Sequence, residues 1–283
     1  RAERVQYGLY RATAQAPAQP ADMARRELAV EEIQRVPGVY GDAMKVVQNL
    51  PGVARPSPLG GEVVVRGSAP SDSLAMVEGM RIPLAYHFGG LFSVINTDML
   101  ESIDFLPGGY PVAWGRQTGG VLNARLRLPR AGEPWAGYIE TNVFHTGFFL
   151  KGSVSDDTSI AISARRSYLD VVLNAVVPEG ALPFTLAPRY WDWQARIDHR
   201  VAGRTWLTVF GFGSDDKLEA VSKQPLGADV RTVGGIKFGN TFHGAAAILR
   251  HDAATWSSKT LVGLMWGSSG VEFGQFLRYD ATA

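Results

Sequence analysis

The stretch YWDWQARID, residues Tyr190–Asp198, has two faces of opposite character. Its odd positions are Trp191, Trp193, Ala195 and Ile197, all apolar; its even positions are Tyr190, Asp192, Gln194, Arg196 and Asp198, almost all polar. Successive side chains of a β-strand point to opposite sides, so this period of two marks a strand with one apolar and one polar face. A soluble sandwich alternates in the same way. Thr255–Trp266 narrows the choice, because Trp256 and Trp266 share a face with Val262 and Leu264 between them. Ten residues at about 3.3 Å each, tilted by about 40°, climb roughly 25 Å, the height of a membrane barrel's apolar band between its aromatic girdles. Ser258 and Thr260 interrupt that face. Around these strands, tight turns at Ser155-Asp156-Asp157, Ala202-Gly203 and Asp252-Ala253-Ala254 alternate with longer segments, Ser167–Pro188 and Ser214–Val233. Short turns at one rim and long loops at the other suit a membrane barrel, which this pattern places ahead of a soluble β-domain.

The rest of the composition agrees. Among 283 residues, 32 Gly, 7 Trp, 13 Phe and 9 Tyr lean towards a β-rich fold. A net charge of +1 offers no electrostatic footprint for nucleic acid. With no Cys, disulfides, Cys-ligated zinc and thiol nucleophiles are excluded. No apolar run approaches the roughly 20 residues a membrane helix needs, which leaves a β-barrel open. Arg1–Tyr10 has no signal-peptide core, so the sequence is expected to begin inside a longer precursor or after cleavage.

Upstream of the alternating strands the pattern differs. Residues 1–24, with QAPAQP at Gln15–Pro20, read as a linker. In 25–129, Val30–Val36 and Asp42–Leu50 have helical spacing and stop at prolines, Asp42 serving as N-cap of the second. Strands are expected at Glu62–Arg66, Leu74–Glu78 and Gly119–Leu128, with a short helix running into a strand over Asp98–Leu106. The expectation is a small α+β domain over 25–129, followed by antiparallel transmembrane β-barrel strands over 130–283.

Five segments of this domain resemble the plug of TonB-dependent receptors, in the family's order and spacing. Asp42–Val53 (DAMKVVQNLPGV) is similar to the family's helix ending in Leu-Pro-Gly-Val, and Val63–Gly67 (VVVRG) to its strand ending in Arg-Gly. Val77–Met80 (VEGM) resembles its short turn, with Glu78 where Asp is usual. Leu100–Gly109 (LESIDFLPGG) and Trp114–Asn123 (WGRQTGGVLN) resemble the segments that close the plug, with Trp114 for the usual Tyr. Ala164–Asp170 (ARRSYLD) and Ala187–Trp193 (APRYWDW) look like the early barrel of a subgroup. The family's TonB box is not evident, Arg4–Tyr10 being a poor candidate, and its C-terminal aromatic strand signal is absent. About 22 strands are needed to enclose a plug, and only seven to nine fit after Trp135, so the sequence reads as a piece of a larger barrel.

The resemblance implies an outer-membrane receptor that imports a scarce small-molecule, glycan or peptide ligand, its plug moved by the TonB energy-coupling complex. The rival reading is a plugged barrel that is a structural or assembly component of an envelope protein complex. By the same resemblance, Arg66 and Arg116 lock the plug to carboxylates of the barrel wall, against the plainer reading that Arg66 ends a strand and meets water. Tyr86, His87 and Phe88, ahead of Gly89-Gly90, are expected on an exposed plug apex as a ligand-binding cluster, with core packing the alternative. Trp191, Trp193, Ile197, Trp256 and Trp266 are expected to face outer-membrane lipid, so that Arg is expected to be tolerated better at Gln194 than at Ile197. His87, His145, His199, His243 and His251 show no metal-ligand spacing, and Asp156-Asp157 and Asp215-Asp216 read as solvated turns. Neither a nucleophile elbow nor a phosphate-binding loop is present, and no enzyme, metal or cofactor is expected.

Overall fold

A computed structural model describes residues 5–7, 10–12, 25–33, 36–39, 41–54, 63–87, 90, 92–111, 114–115, 117–176, 184–222, 236–273 and 277–282. Most of the expected linker, and Phe88 and Arg116, lie outside the described residues. A hairpin of β1 (Val5–Tyr7) and β2 (Tyr10–Ala12) stands at the start, across the poor TonB-box candidate.

The N-terminal domain follows. β3 (Arg26–Ala29) leads into a single helical turn, α1 (Val30–Ile33), shorter than the expected helix because the chain turns at 36–39 around Pro37 and Gly38, whose φ is 81°. Met44–Asn49 winds as a 3-10 helix instead of the α-helix expected there. Met44, Val46, Val47 and Gln48 are all buried, so packing on several sides replaces the single apolar stripe of a surface helix. The N-cap is Ala43, one residue after the expected Asp42, whose carboxylate still accepts the Lys45 N–H at 3.1 Å. β4 (Val53–Ala54) pairs with β5 (Val64–Val65). β6 (Leu74–Val77), β7 (Met80–Ile82), β8 (Leu100–Leu106) and β9 (Val121–Leu126) complete a sheet of order β3-β8-β9-β6-β7, with β6 and β9 parallel. A short 3-10 turn, Thr97–Met99, enters β8, as expected.

Eight strands form the second sheet: β10 (Ala136–Thr141), β11 (His145–Ser155), β12 (Thr158–Ser167), β13 (Phe184–Ala202), β14 (Thr205–Ser222), β15 (Ile236–Asp252), β16 (Ser257–Phe273) and β17 (Leu277–Thr282). Each pairs antiparallel with the next, and the sheet runs from β10 to β17 without closing. The expected long segments are partly structured. α2 (Leu169–Val176) follows β12, and β14 extends to Ser222, so Asp215 and Asp216 lie within a strand and not in a solvated turn. With 17 residues, β15 and β16 are each long enough to climb about 40 Å, well beyond the apolar band.

The second sheet keeps apolar side chains exposed on its outer face, and one of its strands, β13, is inverted relative to a soluble protein. On β13 the polar face, Asp192, Gln194, Arg196 and Asp198, is buried, while Ile197 on the apolar face is 49% exposed. On β16 Val262 is 68% and Leu264 71% exposed. The inner face is covered by the N-terminal domain: Phe210, Phe212 and Phe242 of the wall share one core with Tyr86, Ile95 and Ile103. Large apolar side chains stay on an outer surface at low cost only where the solvent is itself apolar. Across that outer face Trp193, Gly213, His243 and Trp266 form one register row. A side chain at Gly213 would collide with the His243 and Trp193 rings, its Cβ falling 2.2 Å from His243 Nδ1 and 2.4 Å from Trp193 Nε1. The missing side chain lets the aromatic row run across four strands.

Candidate functional site

The segment after β7 folds back on itself and presses into the wall. Tyr86 bridges Ser93, the His87 N–H donates to Phe92 O at 2.9 Å, and Gly90 adopts φ 62°. The tip carries His87, whose ring stacks on Tyr190 at 4.0 Å between centroids and 13° between planes. His87 Nδ1 lies 3.0 Å from both carboxylate oxygens of Asp216 on β14, and Nε2 lies 2.9 Å from Asp192 Oδ2 on β13. Arg165 on β12 donates from Nε to the same Asp192 oxygen at 2.8 Å, and its terminal nitrogen donates to Ser93 O. Gln194 donates to Val94 O at 2.9 Å and accepts from Asn96 N at 3.2 Å. Ser214 donates to Asp216 at 2.9 Å. Next to this cluster His145 Nδ1 meets the Tyr190 hydroxyl at 2.9 Å, and the Phe92 ring stands edge-on to His145 at 4.5 Å.

Two of the residues expected on an exposed ligand-binding apex are therefore elsewhere. Tyr86 and His87 are both 0% exposed. Tyr86 donates to Met44 O at 2.7 Å inside the domain, and burial pushes its phenol pKa up. The aromatic character that suggested stacking surfaces serves packing here, because the segment turns into the wall and not into the vestibule. Tyr86→Phe is expected to destabilise the N-terminal domain by about 1–3 kcal/mol, the cost of depriving a buried carbonyl of its donor. Urea unfolding measures this, and a variant as stable as the wild type would remove the hydrogen bond from the account.

The expected lock at Arg66 stays a proposal. Arg66 sits at φ 52° in the turn after β5, is exposed, and its side chain lies over Gly52 and Gly108 of its own domain. Among the described residues it forms no ion pair. The left-handed turn lays it along the surface of its own domain. The wall does carry carboxylates that grip the domain, but His87 meets them. A second grip comes from Glu78, in the β6–β7 turn at φ 55°, whose carboxylate accepts Leu126 N at 2.7 Å and pairs with Lys259 of β16. Beside it Gly263 leaves room for Met80, whose Sδ would lie 2.6 Å from a Cβ there. Only one signal marked Glu78 in the sequence, its place where a shorter Asp is usual; the extra methylene adds reach toward Lys259. Towards the rim of the β10–β11 turn a half-open cleft of about 530 Å³ lies between the domain and the wall, lined among others by Phe92, Asp98, Tyr138, Glu140 and Phe144.

Trp191, Trp193, Ile197, Trp256 and Trp266 lie on the side of the sheet opposite these contacts, with Trp256 57% and Trp266 51% exposed. The inward neighbour Gln194 is buried under Val94 and Asn96. Arg at Gln194 is therefore not the mild change expected of a water-filled lumen.

Residues 19–121 match the model of the TonB-dependent receptor plug domain. No curated protein matches the chain. Among solved structures, the chain is similar to the ferric enterobactin receptor of Pseudomonas aeruginosa, at 16% identity and TM-score 0.60, over 95% of this chain and 45% of that one. It is similar to the siderophore receptor PirA of Acinetobacter baumannii, at 14% identity and TM-score 0.61, over 93% and 43%. The outer membrane transporter YddB of Escherichia coli aligns at 14% identity and TM-score 0.60, over 88% and 40%. The chain thus spans less than half the length of these structures, and at such identities the likeness is one of fold.

Proposed function

We propose, from the premise that this chain carries a TonB-dependent receptor plug domain and the barrel fold of outer-membrane receptors, that it is the plug and first strands of a transporter importing a scarce ligand. The observation that supports this best is the wall's exposed apolar face. An inner face that is polar on β13 and largely apolar on β14 and β15 is covered by the plug, and an apolar outer face is left open over the same strands. The plug fills the lumen through an apolar core shared with Phe210, Phe212 and Phe242 and through ion pairs and hydrogen bonds at His87 and Glu78, which can be broken and remade without unfolding either part. Trp191, Trp193, Ile197, Trp256 and Trp266 meet lipid in this reading. The ligand enters from the rim where the cleft beside Phe92 and Tyr138 opens, and a small molecule, a glycan or a peptide suits that mixture of aromatic and polar walls. The energy for moving the plug comes from the TonB complex.

The test uses the full-length receptor purified from outer membranes and the periplasmic domain of TonB. Saturable binding between them is the expected result. A receptor that does not bind TonB, and instead co-purifies in fixed stoichiometry with envelope proteins, would replace transport by an assembly role.

A further inference from the structure

We infer that His87 is held as an imidazolium and is the cation by which the plug is keyed into its wall, so that one proton governs how firmly the plug is seated. The inference starts from a count of donors. Carboxylate oxygens only accept hydrogen bonds, and a neutral imidazole has one N–H and one lone pair. Both His87 nitrogens face carboxylates, Nδ1 at 3.0 Å from Asp216 and Nε2 at 2.9 Å from Asp192. Either neutral tautomer would set a nitrogen lone pair against a carboxylate oxygen in a site closed to water. Only the doubly protonated ring donates in both directions. Stacking on Tyr190 fixes the ring plane, so rotation does not relieve the conflict.

The surrounding groups point the same way. From the wall, β12 contributes Arg165, β13 contributes Asp192 and Tyr190, and β14 contributes Asp216 and Ser214. From the plug, Asp42 stands behind Ser93, accepting its N–H at 2.6 Å. Against Asp192 and Asp216, Arg165 supplies one positive charge and the protonated His87 the second, and Asp42 adds a further negative charge from the plug side. Losing the proton would leave an uncompensated buried anion, an expensive arrangement in a dry interface. Arg165 opposes the proton, since its terminal nitrogen lies 3.5 Å from Nε2, but it is already committed to Asp192 and Ser93 O. Burial alone would lower the pKa of His87, and the two carboxylates outweigh it and raise the pKa above that of a free histidine.

The sign follows from linkage. The seated pKa is raised, so the contribution to seating is complete below the ordinary imidazole value and is lost as pH rises through the seated value. Between the two, the seating constant falls about tenfold per pH unit. The inference rests on the receptor reading only for the plug's place inside a closed barrel. It does not depend on TonB or on a ligand.

The experiment is single-channel conductance of the full-length receptor in planar bilayers, from about pH 6 to about pH 9.5. The wild type should be closed at the acid end, with open events rising about tenfold per pH unit across part of that range. His87→Arg should stay closed throughout, since its charge is permanent. His87→Gln should leak at every pH without a pH-dependent limb. A wild type that stays closed to the alkaline end, or a His87→Gln profile that tracks the wild type, would overturn the inference. These two profiles decide it even where the longer Arg side chain blocks assembly, and failure of TonB binding would leave them unaffected.

Discussion

Asp192→Ala should unseat the plug at a cost of about 3–5 kcal/mol while leaving the barrel inserted. This carboxylate is buried and takes hydrogen bonds from His87 and Arg165 on one oxygen, with the Gln194 amide at 3.2 Å from the other. Removing it leaves His87 and Arg165 with Asp216 as the cluster's remaining wall carboxylate, in an interface with no water to replace the lost acceptor, and that imbalance, more than the lost attraction, sets the size of the effect. Asp192→Asn keeps acceptor oxygen but not the charge, and should fall between wild type and Ala. Protease cleavage of the plug during urea titration of the full-length protein reads the seating energy, while heat-modifiable migration reports on the barrel. An Ala variant whose plug resists as the wild type does would show that the wall cluster carries little of the grip.

Ile197→Arg should act on the other half of the molecule. Ile197 faces outward beside Val209, five residues above the turn at Ala202-Gly203. At about 3.3 Å per residue and a tilt of about 40°, that places it roughly 13 Å from the rim, near the middle of the apolar band. An arginine there should destabilise the barrel by about 2–4 kcal/mol and lower the amount of folded protein in the outer membrane. Gln194→Arg, three residues away and inward, should leave insertion intact and release the plug, because the Gln194 amide is matched to Val94 and Asn96. The pair of variants separates the two faces of one strand. If both lowered insertion equally and neither released the plug, the assigned facing would be wrong.

Much of the fold was legible because strands are written locally. The alternation in Tyr190–Asp198 marked β13 and its two faces, and the motif order from Asp42 to Asn123 marked the plug, whose model match at 19–121 covers all but the last two residues of that stretch. The candidate site was less legible. Tyr86, His87 and Phe88 looked like an exposed aromatic tip because nothing near them in sequence says what the tip touches. Arg66 looked like the lock from its motif position, and its side chain lies over Gly52 and Gly108 of its own domain, where the eight wall strands do not test that role. Asp215-Asp216 looked like a solvated turn because adjacent acids carry no local sign of a partner.

By itself the sequence determined where strands run, which side chains share a face, and which residues turn the chain, since each depends on neighbours within a few positions. Tertiary structure alone decided which face was covered and by what. The partners of His87 lie 105 and 129 residues further along the chain. Lys259 meets Glu78 across 181. Contacts at such separations are set by how the plug lies against the wall, and they turn a polar strand face, which reads as wet, into the buried surface that holds the plug.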